Sequence, residues 1–359
     1  MRLEQLRIRG LRCLSDADLA LDPGINVFIG DNGAGKTSVL EAAFLLSHAR
    51  SFRSGAKEAL LQRGASGLSL FAELRHDDDR RVRLGLGRSG SRWEARVDGE
   101  GVAIGQLVRD CAVVCFEPGS HALIAGAAEE RRRYLDWGVF HVEQLFLPAW
   151  RRYQRALKQR NSLLRSGDLI SDALLEPWEA ELKQAGSLID AQRQVYLDLL
   201  RPRLAAEVAE LLPELGDIEL RYKRGWGEGR ELADELRSQR GRDIARGHTT
   251  LGVHRADWSL AFEHAPLREH LSRGQEKLTA LACVLAQATL FAERRGEWPI
   301  VALDDLASEL DAAHQASVVR RLRAAGAQVL LTGTELPVAL QAVPARVFHV
   351  EQGIIAPLL

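Results

Sequence analysis

The sequence predicts an α/β fold in which a mixed β-sheet lobe carries an inserted α-helical lobe. Three observations point there. Short runs in the first third alternate apolar with polar residues, the middle repeats its apolar residues at three- and four-residue steps, and the last third alternates apolar strands with helices. The expected segments are residues 1–125 for the N-terminal part of the sheet lobe, 126–248 for the helical insertion and 249–359 for the C-terminal part.

Leu3 to Arg9 alternates as a half-buried strand does, and Leu19 to Leu21 continues toward a turn at Asp22-Pro23-Gly24. Ile25 to Ile29 is a short β-branched run that reads as a strand, and Ser38 to His48 reads as a helix. Further alternating runs cover Leu68 to Leu74, Arg81 to Leu86 and Arg92 to Val97. Asp98-Gly99-Glu100-Gly101 is a strong hairpin signal. Asp77-Asp78-Asp79 has no spaced set of oxygen ligands around it and reads as a solvated turn.

The character changes after Val113 to Phe116. Leu135, Val139, Val142, Leu145/Phe146, Ala149 and Tyr153 recur at helical spacing, as do Leu174, Trp178, Leu182, Ala185, Leu188/Ile189, Val195/Tyr196 and Leu199. The polar stretch Arg165-Ser166-Gly167-Asp168 separates them, which predicts an antiparallel helical pair, with Arg201-Pro202 interrupting its end. From about Thr249 the chain returns to mixed α/β. Ser259 to Phe262 reads as a strand, a long apolar helix runs through Leu290-Phe291, and Ile300 to Leu303 and Gln328 to Leu331 read as buried strands of a mostly parallel sheet.

The chemistry concentrates at the two ends. Gly30-Asp31-Asn32-Gly33-Ala34-Gly35-Lys36-Thr37, followed by Ser38, matches the phosphate-binding loop between a strand and a helix. Its glycines let backbone N–H groups approach phosphate oxygens, Lys36 reaches the β/γ-phosphates, and the Thr37 hydroxyl is a Mg²⁺ ligand. Near the other end, Leu271-Ser272-Arg273-Gly274-Gln275 opens a helix, and Ile300 to Leu303 ends in Asp304-Asp305, a strand delivering acidic groups to a nucleotide's Mg²⁺.

Charge and composition set limits. The 48 Lys+Arg against 49 Asp+Glu give a net charge of −1, so any nucleic-acid surface is a local patch. No signal-peptide core or membrane-length apolar run is present, which predicts a cytoplasmic protein without membrane partners. Cys13, Cys111, Cys115 and Cys283 are scattered, lack the spacing of a zinc site and read as reduced structural residues.

The order phosphate loop, helical insertion, Gly252-x-His254-Arg255-x-Asp257, Leu271-Ser272-x-Gly274-Gln275, Asp304-Asp305 and Ser308-Glu309-Leu310-Asp311 resembles the ATP-binding-cassette (ABC) ATPases of the SMC and Rad50 type, and within them the RecF family. Arg131 to Asp136 is similar to a segment that opens the helical lobe in that family. The resemblance covers essentially the whole chain. It implies an ABC-type ATPase head that dimerises on ATP, with each phosphate loop facing Ser272, Arg273, Gly274 and Gln275 of the other subunit. It further implies Mg²⁺ at Thr37 and Asp304, and Asp305 where most of the superfamily has the glutamate that positions the attacking water. Function by resemblance is recombinational repair and replication-fork maintenance after DNA damage, including the SOS response. That covers binding at single-/double-strand DNA junctions, help in loading the recombinase, RecO and RecR as partners, and a weak DNA-stimulated ATPase. Asp305 is one methylene shorter than glutamate, which predicts slow turnover. Arg273, Ala256 and Glu117-Pro118-Gly119-Ser120 depart from wider patterns, and Thr334 is the candidate for part of the role of the missing switch histidine.

Other residues carry two readings each. His254 and Arg255 fit a nucleotide or partner contact, or a satisfied structural pair. Arg53 fits a phosphate contact or a surface loop. Arg151, Arg155 and Lys158 share a helical face with Arg165, and that face fits a DNA backbone or a solvated charged surface. Arg131-Arg132-Arg133 cannot all share one face. A transporter ATPase subunit would share the cassette motifs but normally carries a clearer glutamate and switch histidine. A lone P-loop kinase or GTPase leaves Leu271 to Gln275 unexplained.

Overall fold

The computed structural model describes residues 1–53, 60–166 and 171–358. It divides into two compact units, Met1–His121 with Lys277–Leu359, and Ala122–Glu276. In chain order the first unit begins with β1 (Arg2–Leu11), β2 (Leu14–Ala20), β3 (Ile25–Ile29), α1 (Lys36–His48), β4 (Gly67–Arg75), β5 (Arg81–Ser89), β6 (Arg92–Val97), β7 (Glu100–Val102), α2 (Ile104–Asp110) and β8 (Val113–Phe116). The second unit holds α3 (Ala122–Ala125), α4 (Ala128–Val142), α5 (Phe146–Leu164), α6 (Asp172–Leu211), β9 (Ile218–Lys223), α7 (Leu232–Ser238), α8 (Arg240–Arg246) and β10 (Asp257–Phe262). The remaining elements are α9 (Arg273–Arg295), β11 (Ile300–Leu303), α10 (Leu306–Glu309), α11 (Ala312–Ala324), β12 (Val329–Gly333), β13 (Arg346–Glu351) and β14 (Ile354–Pro357).

The first unit has two six-stranded sheets. One, ordered β2-β1-β4-β5-β6-β7, is antiparallel throughout. A register shift between Leu3 and Gln5 resets the alternation of β1, which is why Leu3, Leu6 and Ile8 are all buried. Asp98 and Gly99 join β6 to β7 with φ of 51° and 90°, the left-handed pair that a tight hairpin demands. The three aspartates form the β4–β5 turn: Asp79 pairs with Arg75 and Asp78 accepts from the Arg80 N–H.

The other sheet, ordered β14-β13-β3-β12-β11-β8, is parallel except for its β13–β14 edge. The runs Ile25 to Phe28, apolar but for Asn26, Ile300 to Leu303 and Val329 to Leu331 fill its centre and are buried, as strands covered on both faces must be. The apolar helix α1 is buried on nearly every side. Its N-terminus therefore opens where the carboxyl ends of β3, β11 and β12 lie, the usual ligand position of an open α/β sheet.

The second unit packs α5 against α6. Pro202 was expected to interrupt this pair, yet α6 runs 40 residues through both Pro177 and Pro202. The Arg203 guanidinium donates to the Leu199 carbonyl at 2.8 Å in the disturbed turn, and Leu197, Leu200, Leu204 and Val208 are buried on both sides of it. Burial of this seam outweighs the roughly 3 kcal/mol helix penalty of one proline. Of the polar stretch between the helices, Arg165 and Ser166 end α5, while Gly167 and Asp168 lie outside the described residues. The strand at Asp257–Phe262 pairs antiparallel with Ile218–Lys223, so residues 249–276 sit with the helical unit rather than with the sheet lobe as composition suggested. Among the described residues no helix is long and apolar enough to cross a membrane.

Candidate nucleotide site

The loop between β3 and α1 is shaped by its glycines. A Cβ on Gly30 would lie 2.1 Å from the Val350 carbonyl oxygen and one on Gly35 2.9 Å from the Cys13 Sγ, so both positions exclude a side chain. Gly35 is also the N-cap of α1, with φ of 118° and no side chain capping the helix. The first N–H groups of α1 are thus left to an anion, and the helix dipole adds to the attraction.

Lys36 is buried, and its Nζ donates to the carbonyls of Gly30 at 2.7 Å and Asp31 at 2.8 Å. These two bonds pin the ammonium over the loop and leave one N–H to turn toward a bound anion. Burial lowers its pKa, while the nearby carboxylates of Asp305, Asp304 and Asp31 oppose the shift.

The acidic pair is organised by a residue that sequence reasoning missed. Thr332, in β12, donates its hydroxyl to Asp304 Oδ1 at 2.6 Å and accepts the Asp305 N–H at 2.8 Å. Thr37 donates to the same Oδ1 at 2.8 Å. The one signal of Thr332 in the sequence is a polar residue late in an otherwise apolar strand, at the level that the parallel register Leu303↔Leu331 places beside Asp304. Thr334, by contrast, is exposed beyond the strand end. Burial raises the Asp304 pKa, and the two threonine hydroxyls work against it. Asp305 has φ of 53°, a left-handed conformation that costs a non-glycine residue about 1 kcal/mol or more and is concentrated at functional sites.

Two hard oxygens 2.8 Å apart, Thr37 Oγ1 and Asp304 Oδ1, match the edge of a Mg²⁺ octahedron, whose adjacent ligands at 2.0–2.1 Å lie about 2.9 Å apart. The donor set therefore suits Mg²⁺, with its remaining positions left to phosphate and water. The cleft holding Lys36, Thr37, Ser38, Asp304, Asp305 and Thr332 has a volume of 270 Å³. Arg53 also lines it, 3.9 Å from the fully buried carboxylate of Glu41. Glu41 holds the Arg12 guanidinium through two bonds of 2.9 and 2.7 Å and accepts a short hydrogen bond from Ser51. That cluster fixes the cleft wall and was not legible in the sequence.

Ser272, Arg273 and Gly274 are exposed at the start of α9. Ser272 Oγ accepts the Gln275 N–H at 3.2 Å and Gln275 Oε1 accepts the Ser272 N–H at 3.0 Å, a reciprocal capping box. Downstream of the acidic pair, Asp311 caps α11 by accepting the His314 N–H at 2.9 Å, and Lys277 pairs with Glu309 at 2.6 Å.

Several candidates resolve into structure. Arg131 grips the Asp257 carboxylate at 2.7 and 3.0 Å, Arg132 donates to the Ala256 carbonyl, and Arg133 pairs with Glu129 and Glu130. His254 joins Tyr153 at 2.7 Å and the Thr249 carbonyl at 3.2 Å, and burial lowers its pKa to about 4. Arg151, Arg155 and Lys158 are exposed together on α5. Glu117 accepts the Gly119 N–H at 2.6 Å, and burial raises its pKa. All four cysteines are free thiols; burial pushes Cys111 up to about 12, while Cys13 is exposed beside the phosphate loop.

Known proteins place this architecture. Residues 2–356 match the RecF/RecN/SMC N terminal domain family. The chain is 50% identical to the DNA replication and repair protein RecF of Stenotrophomonas maltophilia (strain R551-3), over 98% of each sequence. It is 37% identical to that of Shewanella denitrificans (strain OS217 / ATCC BAA-1090 / DSM 15013), again over 98% of each. The solved structure of the recombination mediator protein RecF with ATP superposes with a TM-score of 0.90 at 25% identity, covering 99% of this chain and 97% of the other. An Smc head domain from Pyrococcus furiosus shares the fold at a TM-score of 0.57 and 14% identity, over 99% of this chain and 95% of that one. With its mixed-sheet lobe, helical lobe and glycine-rich loop, the chain belongs to the RecF family of the SMC/Rad50-like ABC ATPase superfamily.

Proposed function

We propose that the chain is an ATP-dependent DNA-binding protein of recombinational repair and replication-fork maintenance, cytoplasmic and active in the DNA-damage (SOS) response. It dimerises on ATP at single-/double-strand DNA junctions and helps load the recombinase, with RecR and RecO as partners. The observation that carries this reading is the convergence of Lys36, Thr37, Asp304 and Asp305 on the uncapped N-terminus of α1.

In this reading Gly30 to Ser38 wrap the polyphosphate, Lys36 neutralises its β/γ charge, and Thr37 with Asp304 would hold Mg²⁺, directly or through water. That ion, when bound, offsets charge on the phosphates. Asp305 orients the attacking water from a carboxylate one methylene short of glutamate, which makes turnover slow, and DNA stimulates this weak ATPase. Ser272, Arg273, Gly274 and Gln275 of one copy supply donors to the γ-phosphate held by the other, so burial of that charge couples association to the nucleotide state. Arg151, Arg155 and Lys158 track the DNA backbone. Sedimentation with ATP, with ADP and without nucleotide, each with and without forked DNA, tests the whole scheme. Dimers form with ATP and dissociate as it is consumed; the same mass in all conditions would overturn it.

A further inference from the structure

A concavity of 880 Å³ opens in the second unit between α6, β9 with the turn that follows it, and the segment leading into β10. Much of its charge is already matched. Asp257 is held by Arg131 at 2.7 Å, Asp198 pairs with Arg201 at 3.0 Å, and Arg221 pairs with Glu219 at 2.6 Å. Lys223 and Arg255 are exposed, and their side chains make no hydrogen bond or ion pair among the described residues. Arg224 lines the same concavity, and its guanidinium sits 3.9 Å from the ring centroid of the buried Trp226. Arg224 makes no hydrogen bond among the described residues, and Asp190 is its charge partner at 3.4 Å.

We propose that this concavity takes a short stretch of single-stranded nucleic acid, with a base lying on the Arg224 plane backed by Trp226 and flanking phosphates at Lys223 and Arg255. The proposal rests on the DNA-binding reading above and names where the single-stranded part of a junction is held. Single-strand sites combine backbone cations with planar groups on which bases stack, and a guanidinium plane serves as well as a ring. A cavity of this size suits a ligand of a few residues rather than the breadth of a duplex. An acidic peptide would use the two cations but leave the stacked Arg224–Trp226 pair idle, and the exposed Glu228 on the rim would repel it. A base turns Glu228 to use, because a carboxylate accepts from an exocyclic amino group such as that of cytosine.

The test is fluorescence anisotropy of the full chain with ATP and Mg²⁺ against a short oligodeoxycytidylate, a blunt duplex, a fork and an oligoglutamate peptide. Lys223→Glu with Arg255→Glu weakens oligodeoxycytidylate binding at least tenfold and lowers the slope of log affinity against log salt by about 1.4, the value for two single-strand phosphates. Arg224→Lys keeps the charge and removes the plane, so it weakens the same binding roughly fivefold with the slope unchanged. Both variants keep blunt-duplex binding and sedimentation with ATP, which shows them folded. Oligodeoxycytidylate binding that neither variant alters overturns the site, as does a wild type that binds duplex or oligoglutamate but not the single strand. A wild type that binds no DNA at all overturns the DNA-binding reading itself.

Discussion

In the proposed function, Lys36 serves binding and Asp305 serves chemistry, and one substitution at each separates the two. Replacing Lys36 with methionine removes the only ammonium in the loop and leaves the Gly30 and Asp31 carbonyls without their donor, so nucleotide binding is lost. The thermal shift produced by ATP disappears in Lys36→Met, and an unchanged ATP affinity would remove the central assignment. Asp305→Asn keeps the size and the left-handed turn while removing the charge. It binds ATP and accumulates a long-lived dimer, measured by sedimentation after nucleotide addition; full hydrolysis in this variant would mean that another group positions the water. The Asp-Asp pair is legible as a motif, but Thr332 is not. Its role needs β12 laid beside β11, a pairing that the residues around Thr332 do not announce.

At the level of elements, buried charge ties the second unit together. The fully buried Arg160 of α5 bonds Glu179 of α6 at 3.0 Å, Asp243 of α8 at 2.7 Å and Thr249 at 2.8 Å. Arg160→Ala leaves the buried Asp243 with no cation, only Thr250 still donating to it, while Glu179 keeps Arg240 at 2.6 Å. The change costs about 3 kcal/mol, the low end for a broken buried pair, whereas removing the exposed Arg152 that pairs with Glu181 leaves stability little changed. Chemical denaturation of both variants separates the two cases. His254 links Tyr153 of α5 to the segment before β10 as a neutral ring, with a folded pKa of about 4 against an ordinary 6.5. The unfolded chain therefore binds more protons between those values, so stability falls as pH drops from about 6.5 toward 4. The slope reaches up to about 1.4 kcal/mol per pH unit, and His254→Gln flattens the profile. Periodicity revealed that α5 and α6 are helices, but a lone arginine among many gave no sign of which one the fold would enclose.

For the whole molecule the question is whether the phosphate loop is completed by a second copy. Ser272 is exposed and caps its own helix, so Ser272→Ala costs about 1 kcal/mol of helix stability. Ser272→Arg leaves ATP on the monomer and blocks the dimer by bulk and by the lost hydroxyl. Mixing Ser272→Arg with Lys36→Met yields a heterodimer with one doubly defective site and one intact site, which restores part of the ATP-dependent dimerisation. Normal ATP dimers of Ser272→Arg alone, by sedimentation, would make the motif intramolecular structure and call for a different switch.

What the sequence by itself determined is whatever a continuous stretch encodes. Gly30 to Thr37 carries its own dihedral requirements, Ile25 to Ile29 and Ile300 to Leu303 carry their burial in composition, and Ser272 with Gln275 is a capping box within four residues. Family membership was legible for the same reason, as an ordered series of short motifs. Only the tertiary structure decided the contacts between distant stretches: Thr37 with Asp304 across 267 positions, Arg131 with Asp257 across 126, and β9 with β10. It also decided that Pro202 stays inside a helix, because the packing of Leu200 and Leu204 lies outside what local propensity weighs. A local pattern reports the dihedrals and faces of its own segment, whereas the partner of a buried polar group is chosen by the arrangement of all the elements at once.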